Sequence, residues 1–251
     1  MIRQQDEAFV LDTRELGEAD LIVTLFGQHH GKIRAVAPSA RRSRRRFGGL
    51  LEPLTRVRAS WVERAGRDLQ RLAEMEGVRS FADMQSDPLR QATCAVLADV
   101  AGVFSHEGQS DPQAFRLLGA VLDALEGGAA PWAMLRYFEY WTLRVHGLLP
   151  DLEACAECGR GLPVRRPSRA SRNRGVLCAE CPRVSGDSEA RLTAADREFL
   201  SAVRRLPPSA MPVLPDPGSG SNAIELLLRG MLETFAERSF RTYKHFRAIA
   251  R

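Results

Sequence analysis

The sequence predicts an α+β, multidomain protein in which a small N-terminal β-barrel precedes an α-helical domain, with a four-cysteine module embedded in the helical part. Three observations carry this prediction. Apolar residues partly alternate with polar ones over five short runs in the first ~80 residues, the periodicity turns helical after Ser80, and two CAEC tetrapeptides interrupt the helical half. The boundaries expected are 1–80 for the barrel domain and 81–251 for the helical domain, with the cysteine module at about 151–185. At 251 residues and 44% hydrophobic content, the chain is long enough for more than one module and apolar enough for buried cores.

The five strand candidates are Ala8–Leu16, Asp20–Gly27, Lys32–Pro38, Leu54–Arg64 and Asp68–Gly77, with Gly17, Gly31 and Gly66 punctuating them. Five short strands cannot leave both edges of a sheet open without a liability, so closure into a barrel is the economical arrangement, and an OB-like barrel is one solution. Phe47 reads as a plug of that barrel, with a base-stacking platform as the alternative, and Phe26 and Trp61 read as core. Asp6 and Glu7 are expected at an exposed terminus.

Helices follow. Asp87-Pro88 and Asp111-Pro112 each place an N-cap acid before a proline at the first helical position, and a third run, "PWAMLRYFEYWTLRVHG", ends at Gly147. Cys94 lies on the apolar face of the first of these and reads as a buried core thiol. A capped helix is expected from Thr193. The Pro/Gly/Ser-rich stretch 207–220 cannot be helical, and one final amphipathic helix is expected from Asn222 towards the C-terminus. Its Arg238, Arg241, Lys244 and Arg247 read first as a solvated face.

Cys155, Cys158, Cys178 and Cys181 form CxxC…CxxC with 19 residues between the pairs. Each CxxC turn offers a metal two thiolates, and a second turn closes the tetrahedron, leaving no open position for water or substrate. The reading is one structural zinc per chain. A redox dithiol, a disulfide pair and a metal-free loop are the alternatives.

Charge is concentrated. Net charge is +5 and pI 9.2, yet residues 82–150 carry four Arg against eight acids. The cations sit elsewhere. "HGKIRAVAPSARRSRRRFGGLLEP" holds seven cations and no acid between Lys32 and Arg46. Lys32 and Arg34 alternate on one strand and point the same way. Arg41, Arg42, Arg44, Arg45 and Arg46 follow in a loop, and Arg56, early in the fourth strand, could extend the surface, a solvated strand residue being the alternative. With no interleaved acid, nucleic-acid binding is favoured over a solvated charge run. A second acid-free run, Arg160 with Arg165, Arg166, Arg169, Arg172 and Arg174, lies between the cysteine pairs and is a candidate second DNA contact, bland solvation being the alternative.

Catalytic signatures are missing: no GxxxxGK loop, HExxH, HxE with PCxxC, or G-x-S-x-G elbow occurs, so no active site is expected. No run of 18 apolar residues and no signal-peptide pattern occurs, so the chain reads as cytoplasmic with no membrane partner.

"GEADLIVTLFGQHHGKIRAVAPSARRSRRRFGGLLEP" resembles the N-terminal signature of the RecO family of bacterial recombination mediators, and "LRVHGLLPDLEACAECGR" is similar to the entry into that family's C-terminal region. The resemblance implies an N-terminal OB fold, a helical body and an embedded zinc element. It also implies binding to single- and double-stranded DNA, annealing of complementary strands, and work with a RecR-type partner and the single-strand-binding protein to load recombinase, in the cytoplasm at the nucleoid. A different class of function, a protein-contact adaptor docking the acidic tail of single-strand-binding protein, remains as the alternative. The Arg-rich insert between the cysteine pairs matches no family pattern, so no family role transfers to it, and nothing is assigned to the 207–220 loop.

Overall fold

In the computed structural model, residues 2–42, 47–63, 68–164, 166–211 and 223–250 are described. The barrel depends on one long strand. β1 (Ile2–Leu16) pairs antiparallel with β2 (Asp20–Gly27) through its C-terminal half, Ala8 to Leu16, and with β4 (Arg56–Glu63) through its N-terminal half, Ile2 to Phe9. A register shift between Val10 and Asp12 bends it between the two partners. β3 (Gly31–Ala37) pairs with β2, β5 (Gln70–Arg79) pairs with β4, and a short parallel contact of β3 with β5 closes the ring in the order β1-β2-β3-β5-β4. This is an OB-like barrel. Alternation does the rest: Val23, Leu25, Ile33, Ala35, Val57, Ala59, Trp61 and Leu72 point inward, with Phe47 among them as the plug.

Strand β1 starts earlier than the sequence suggested, and Asp6 is not at an exposed terminus. It is 4% exposed, and its carboxylate accepts hydrogen bonds from the backbone N–H groups of Glu7, His29 and His30 at 2.8, 2.8 and 2.9 Å. A buried carboxylate with three such donors is satisfied, and it fixes the β2–β3 turn. Gly31, at φ +64°, follows that turn; a Cβ there would run into the carbonyl oxygens of His106 and Gln109.

α1 (Pro88–Phe104) opens on Asp87, whose side chain accepts from the N–H groups of Leu89 and Arg90. α2 (Pro112–Glu126) and α3 (Pro131–Val145) follow, each with its proline at the first position. Three short strands come next, β6 (Ser168–Ser171), β7 (Gly175–Cys178) and β8 (Glu189–Leu192), in the order β7-β6-β8. The sequence reading had no sheet here, because four-residue strands are too short to show periodicity. α4 (Ala194–Arg205) carries a complete capping box between Thr193 and Asp196.

The single final helix expected from Asn222 is two helices, α5 (Ala223–Phe235) and α6 (Thr242–Ile249). Glu237, at φ +50°, turns the chain, and the N–H of Arg238 bonds back to the carbonyl of Glu233. The chain forms two compact units, Met1–Leu122 with Thr242–Ala250, and Asp123–Arg241. In the first, α6 packs on α1, with the Thr242 hydroxyl 3.1 Å from Asp99. In the second, α5 packs on α3 and on the small sheet. Among the described residues no helix is long and apolar enough to cross a membrane.

Candidate nucleic-acid interface and metal centre

Strand β3 carries the first two cations. Ile33, Ala35 and Ala37 enter the core, so Lys32 and Arg34 take the opposite face, where Arg34 is exposed and lies across from Thr24. Burial lowers the Lys32 pKa from its ordinary value; Glu107 partly opposes this and the neighbouring Arg34 charge adds to it. Arg34 has no ion-pair partner among the described residues.

Beyond the strand, the chain is tied to the β1–β2 turn. Asp20 accepts the N–H of Ser39 at 2.8 Å, and the Arg41 N–H donates to the carbonyl of Ala19 at 3.0 Å. Arg41 sits 3.0 Å from Glu15 and Arg42 3.2 Å from Glu18. These ion pairs are solvent-exposed and so worth little, which leaves both guanidinium groups exchangeable to a stronger anion. The Gly-Glu-x-Asp stretch and the segment from Ser39 to Arg42 are therefore one local structure. Arg44, Arg45 and Arg46 lie outside the described residues.

Arg56 does not join this row. It faces Phe9 across β1 and β4, pairs with Glu7, and places its guanidinium 5.9 Å from the Phe9 ring centre and 5.4 Å from that of Phe115. It serves the packing on that side of the barrel. Two cations passed over by the sequence reading do face outward near Arg34. Arg14 opposes Ile22, which opposes Val36, which in turn lies beside the exposed Arg71 of β5. Arg71 alternates with the buried Leu72 and so could have been assigned a face; the parallel β3–β5 contact that brings it next to β3 could not.

The four cysteines meet. Cys155 and Cys158 sit on a tight turn where the N–H of Gly159, at φ +70°, bonds the Cys155 carbonyl at 2.9 Å; Cys178 ends β7 and Cys181 follows it. Their Sγ atoms all lie within 4.8 Å of one another, with Cys155–Cys181 at 3.8 Å and Cys158–Cys178 at 3.9 Å. A tetrahedron with metal–sulfur bonds of ~2.3 Å has edges of ~3.8 Å, whereas a disulfide would need ~2.05 Å. The donor set fits a thiophilic metal, and the four thiols are free.

The thiols also resist ionising together. Burial, the largest influence on Cys155, pushes its pKa up, but backbone N–H groups of Cys158, Cys178 and Glu157 outweigh it and bring the thiol down to about 6. Cys181 is pushed up to about 12, by its hydrogen bonding with Cys178 first and then by burial and the sulfurs of Cys158 and Cys155. Four thiolates at this spacing become compatible only around a cation.

The arginines between the cysteine pairs are engaged by acids from outside that segment. Arg160 and Arg166 reach Glu180 at 3.5 and 3.4 Å, and Arg169 reaches Glu189 at 3.4 Å while donating to the Cys181 carbonyl at 2.7 Å. Arg174 bonds Asp187 at 2.8 Å and Glu189 at 2.7 Å; the Asp187 hydrogen bond is the first cause of its raised pKa. Arg172 meets the buried Glu233 of α5 at 2.8 Å, and Gly230 makes room for it, since a Cβ there would stand 2.7 Å from Arg172 Cγ. Glu233 also holds Arg229, which reaches Glu225, which stands 3.9 Å from the fully buried Arg136. A ladder of alternating charges thus runs from the cysteine module into the helices. Arg165 lies outside the described residues.

Comparison with known proteins agrees with this architecture. The family described as "Recombination protein O N terminal" matches residues 1–81, and "Recombination protein O C terminal" matches residues 85–240. The chain is 35% identical over 239 residues to the DNA repair protein RecO of Koribacter versatilis, covering 95% of this chain and 96% of that one. It is 32% identical over 235 residues to the RecO of Myxococcus xanthus, covering 94% and 91%, and 41% identical over 184 residues to that of Anaeromyxobacter dehalogenans, covering 72% and 71%. With both halves matched in order and likeness along nearly the whole chain, the protein belongs to the RecO family.

Proposed function

We propose that the chain is a non-catalytic recombination mediator of DNA repair. It binds single- and double-stranded DNA through the barrel, anneals complementary strands, and with a RecR-type partner helps load recombinase onto strands covered by single-strand-binding protein, in the cytoplasm at the nucleoid. The observation that carries this reading is the exposed Arg34 beside Lys32 on a barrel strand that leads to Arg41 and Arg42, in a RecO-family chain. Phosphate neutralisation by such a surface is sequence-independent, as a mediator acting at any break requires. Cys155, Cys158, Cys178 and Cys181 would hold one zinc, which supplies a closed structural cross-link between the two turns. The residues themselves do the remaining work: the small sheet docks on α5 through Arg172 and Glu233, and the barrel presents the cations.

The test replaces Arg41, Arg42, Arg44, Arg45 and Arg46 with Ser and measures binding and annealing against salt. Each lost phosphate contact is expected to flatten the slope of log K on log salt by ~0.7 on single strands and ~0.9 on duplex, with annealing falling alongside. A folded variant with an unchanged slope would move the DNA path off this loop. Binding to strands only when single-strand-binding protein covers them would favour the adaptor.

A further inference from the structure

The aromatic residues of the barrel decide how it can hold a strand. Residues 1–81 contain five Phe, Tyr or Trp side chains, Phe9, Phe26, Phe47, Trp61 and Phe81, and every one is at most 5% exposed. Phe47 and Trp61 fill the barrel core. Phe9 and Phe26 pack on Phe115, with ring centres 4.8 and 5.8 Å apart. None of the five turns a ring face to solvent. Barrels of this kind ordinarily bind single strands by stacking successive bases on exposed aromatic rings, next to a basic groove that tracks the backbone. Only the second half of that machinery is present.

The outward face of β1, β2, β3 and β5 supplies it. One row across the strands reads Arg14, Ile22, Val36 and Arg71, and the row beside it reads Asp12, Thr24 and Arg34. At ~4.8 Å between strands, Arg14 and Arg71 stand about 14 Å apart, with Arg34 between them in the sheet. Arg34 and Arg71 are both exposed and have no ion-pair partner among the described residues. Arg14 carries only the local Asp12, at 2.8 Å. The face formed by β1, β4 and β5 differs, since Arg3 pairs with Glu74 and Arg58 with Glu76. Each of its cations has an acid opposite, in solvent-exposed pairs like those of Arg41 and Arg42.

We infer that the barrel holds a nucleic-acid strand by its sugar–phosphate backbone alone, along Lys32, Arg34 and Arg71 with Arg14 at the far edge, and takes no base into a stack. The inference rests on the proposed DNA binding and adds its mode and two residues, Arg14 and Arg71. Base identity then contributes nothing, and a strand with no bases is as good a ligand as one with them.

The experiment compares the full chain on an oligothymidine and on an abasic strand of equal length, each titrated over a range of salt. The expected result is a Kd within about twofold on the two strands, with equal salt slopes. In the double variant Arg34→Ala/Arg71→Ala, both slopes should flatten by ~1.4, two single-strand contacts' worth. An abasic strand bound tenfold or more weakly would overturn the inference and leave the DNA-binding reading intact, because base stacking would then be in use. Unchanged slopes in a double variant whose circular dichroism matches the parent would also overturn it, by placing the track elsewhere. Failure of the parent chain to bind either strand would overturn both the inference and the reading beneath it.

Discussion

Two stretches of this chain look alike as sequence and behave differently as structure. From Lys32 to Arg46 and from Gly159 to Ala179 there are several cations and no acid. In the second stretch the fold brings Glu157, Glu180, Asp187, Glu189 and Glu233 to the arginines, several of them on buried carboxylates. In the first, Arg41 and Arg42 meet only exposed acids and Arg34 meets none among the described residues. An acid-free run therefore measures charge density, while availability to a ligand depends on what the fold places opposite. The cysteine module spends its arginines on holding itself together and to α5. On the barrel, the exposed Arg34 and Arg71 have no such acid among the described residues.

The sharpest way to break this contrast is through the metal. The chain should purify with about one zinc, and Cys178→Ser should abolish it. Since structural zinc contributes folding energy directly, we expect a melting temperature lower by on the order of 10 °C, with DNA affinity and its salt slope nearly unchanged. Elemental analysis and a thermal melt read the first part, and a binding titration the second. A large loss of DNA affinity in this variant would put the module's arginines back on the DNA path.

A smaller effect should follow from removing one of the acids that answer the module. Glu233 is 6% exposed and holds Arg172, Arg229 and the N–H of Phe240. Glu233→Ala leaves two guanidinium groups short of their carboxylate, a loss of about 3 kcal/mol in denaturant unfolding. The salt slope of DNA binding should stay put. A slope that steepened would mean that the freed Arg172 had become a DNA contact, and that pairing alone had kept it from being one.

The smallest effect concerns Lys32. Its pKa lies below that of an ordinary lysine, chiefly through burial, so its ammonium loses its proton at a lower pH. The phosphate contact proposed for it should be present below that lowered pKa and fade as pH rises through it. Lys32→Arg should keep affinity at neutral pH and remove this part of the alkaline decline, because a guanidinium stays protonated. Parallel pH profiles for the two proteins would show that Lys32 is not at the interface.

Much of the fold could be read from local pattern. Apart from the early start of β1, the five strands lie within a few residues of where alternation puts them, and α1, α2 and α4 start at their Asp-Pro and Thr193 signals, because capping and alternation are set by neighbours in sequence. The place of Asp6 is not legible locally, because nothing near it shows that a strand begins at Ile2 or that the β2–β3 turn offers it the N–H groups of His29 and His30. The break at Glu237 has no local signal, because "LETFAERSF" holds no glycine or proline to end a helix. Nothing near Arg56 in sequence shows that it packs on a ring, because its partner Phe115 is 59 residues away.

By itself, then, the sequence determined the fold class, the approximate elements, and which four cysteines belong together, since each rests on spacing over a few residues or on a repeated tetrapeptide. Only the tertiary structure decided that the sulfurs come within 4.8 Å of one another, that β3 lies parallel to β5 and so brings Arg71 beside the β3 surface, and which arginines are already paired. The physical reason is range. Backbone alternation and helix capping act between residues close in sequence, whereas an ion pair or a metal cluster depends on distance in space, and Arg172 and Glu233, 61 residues apart in the chain, are 2.8 Å apart in the fold.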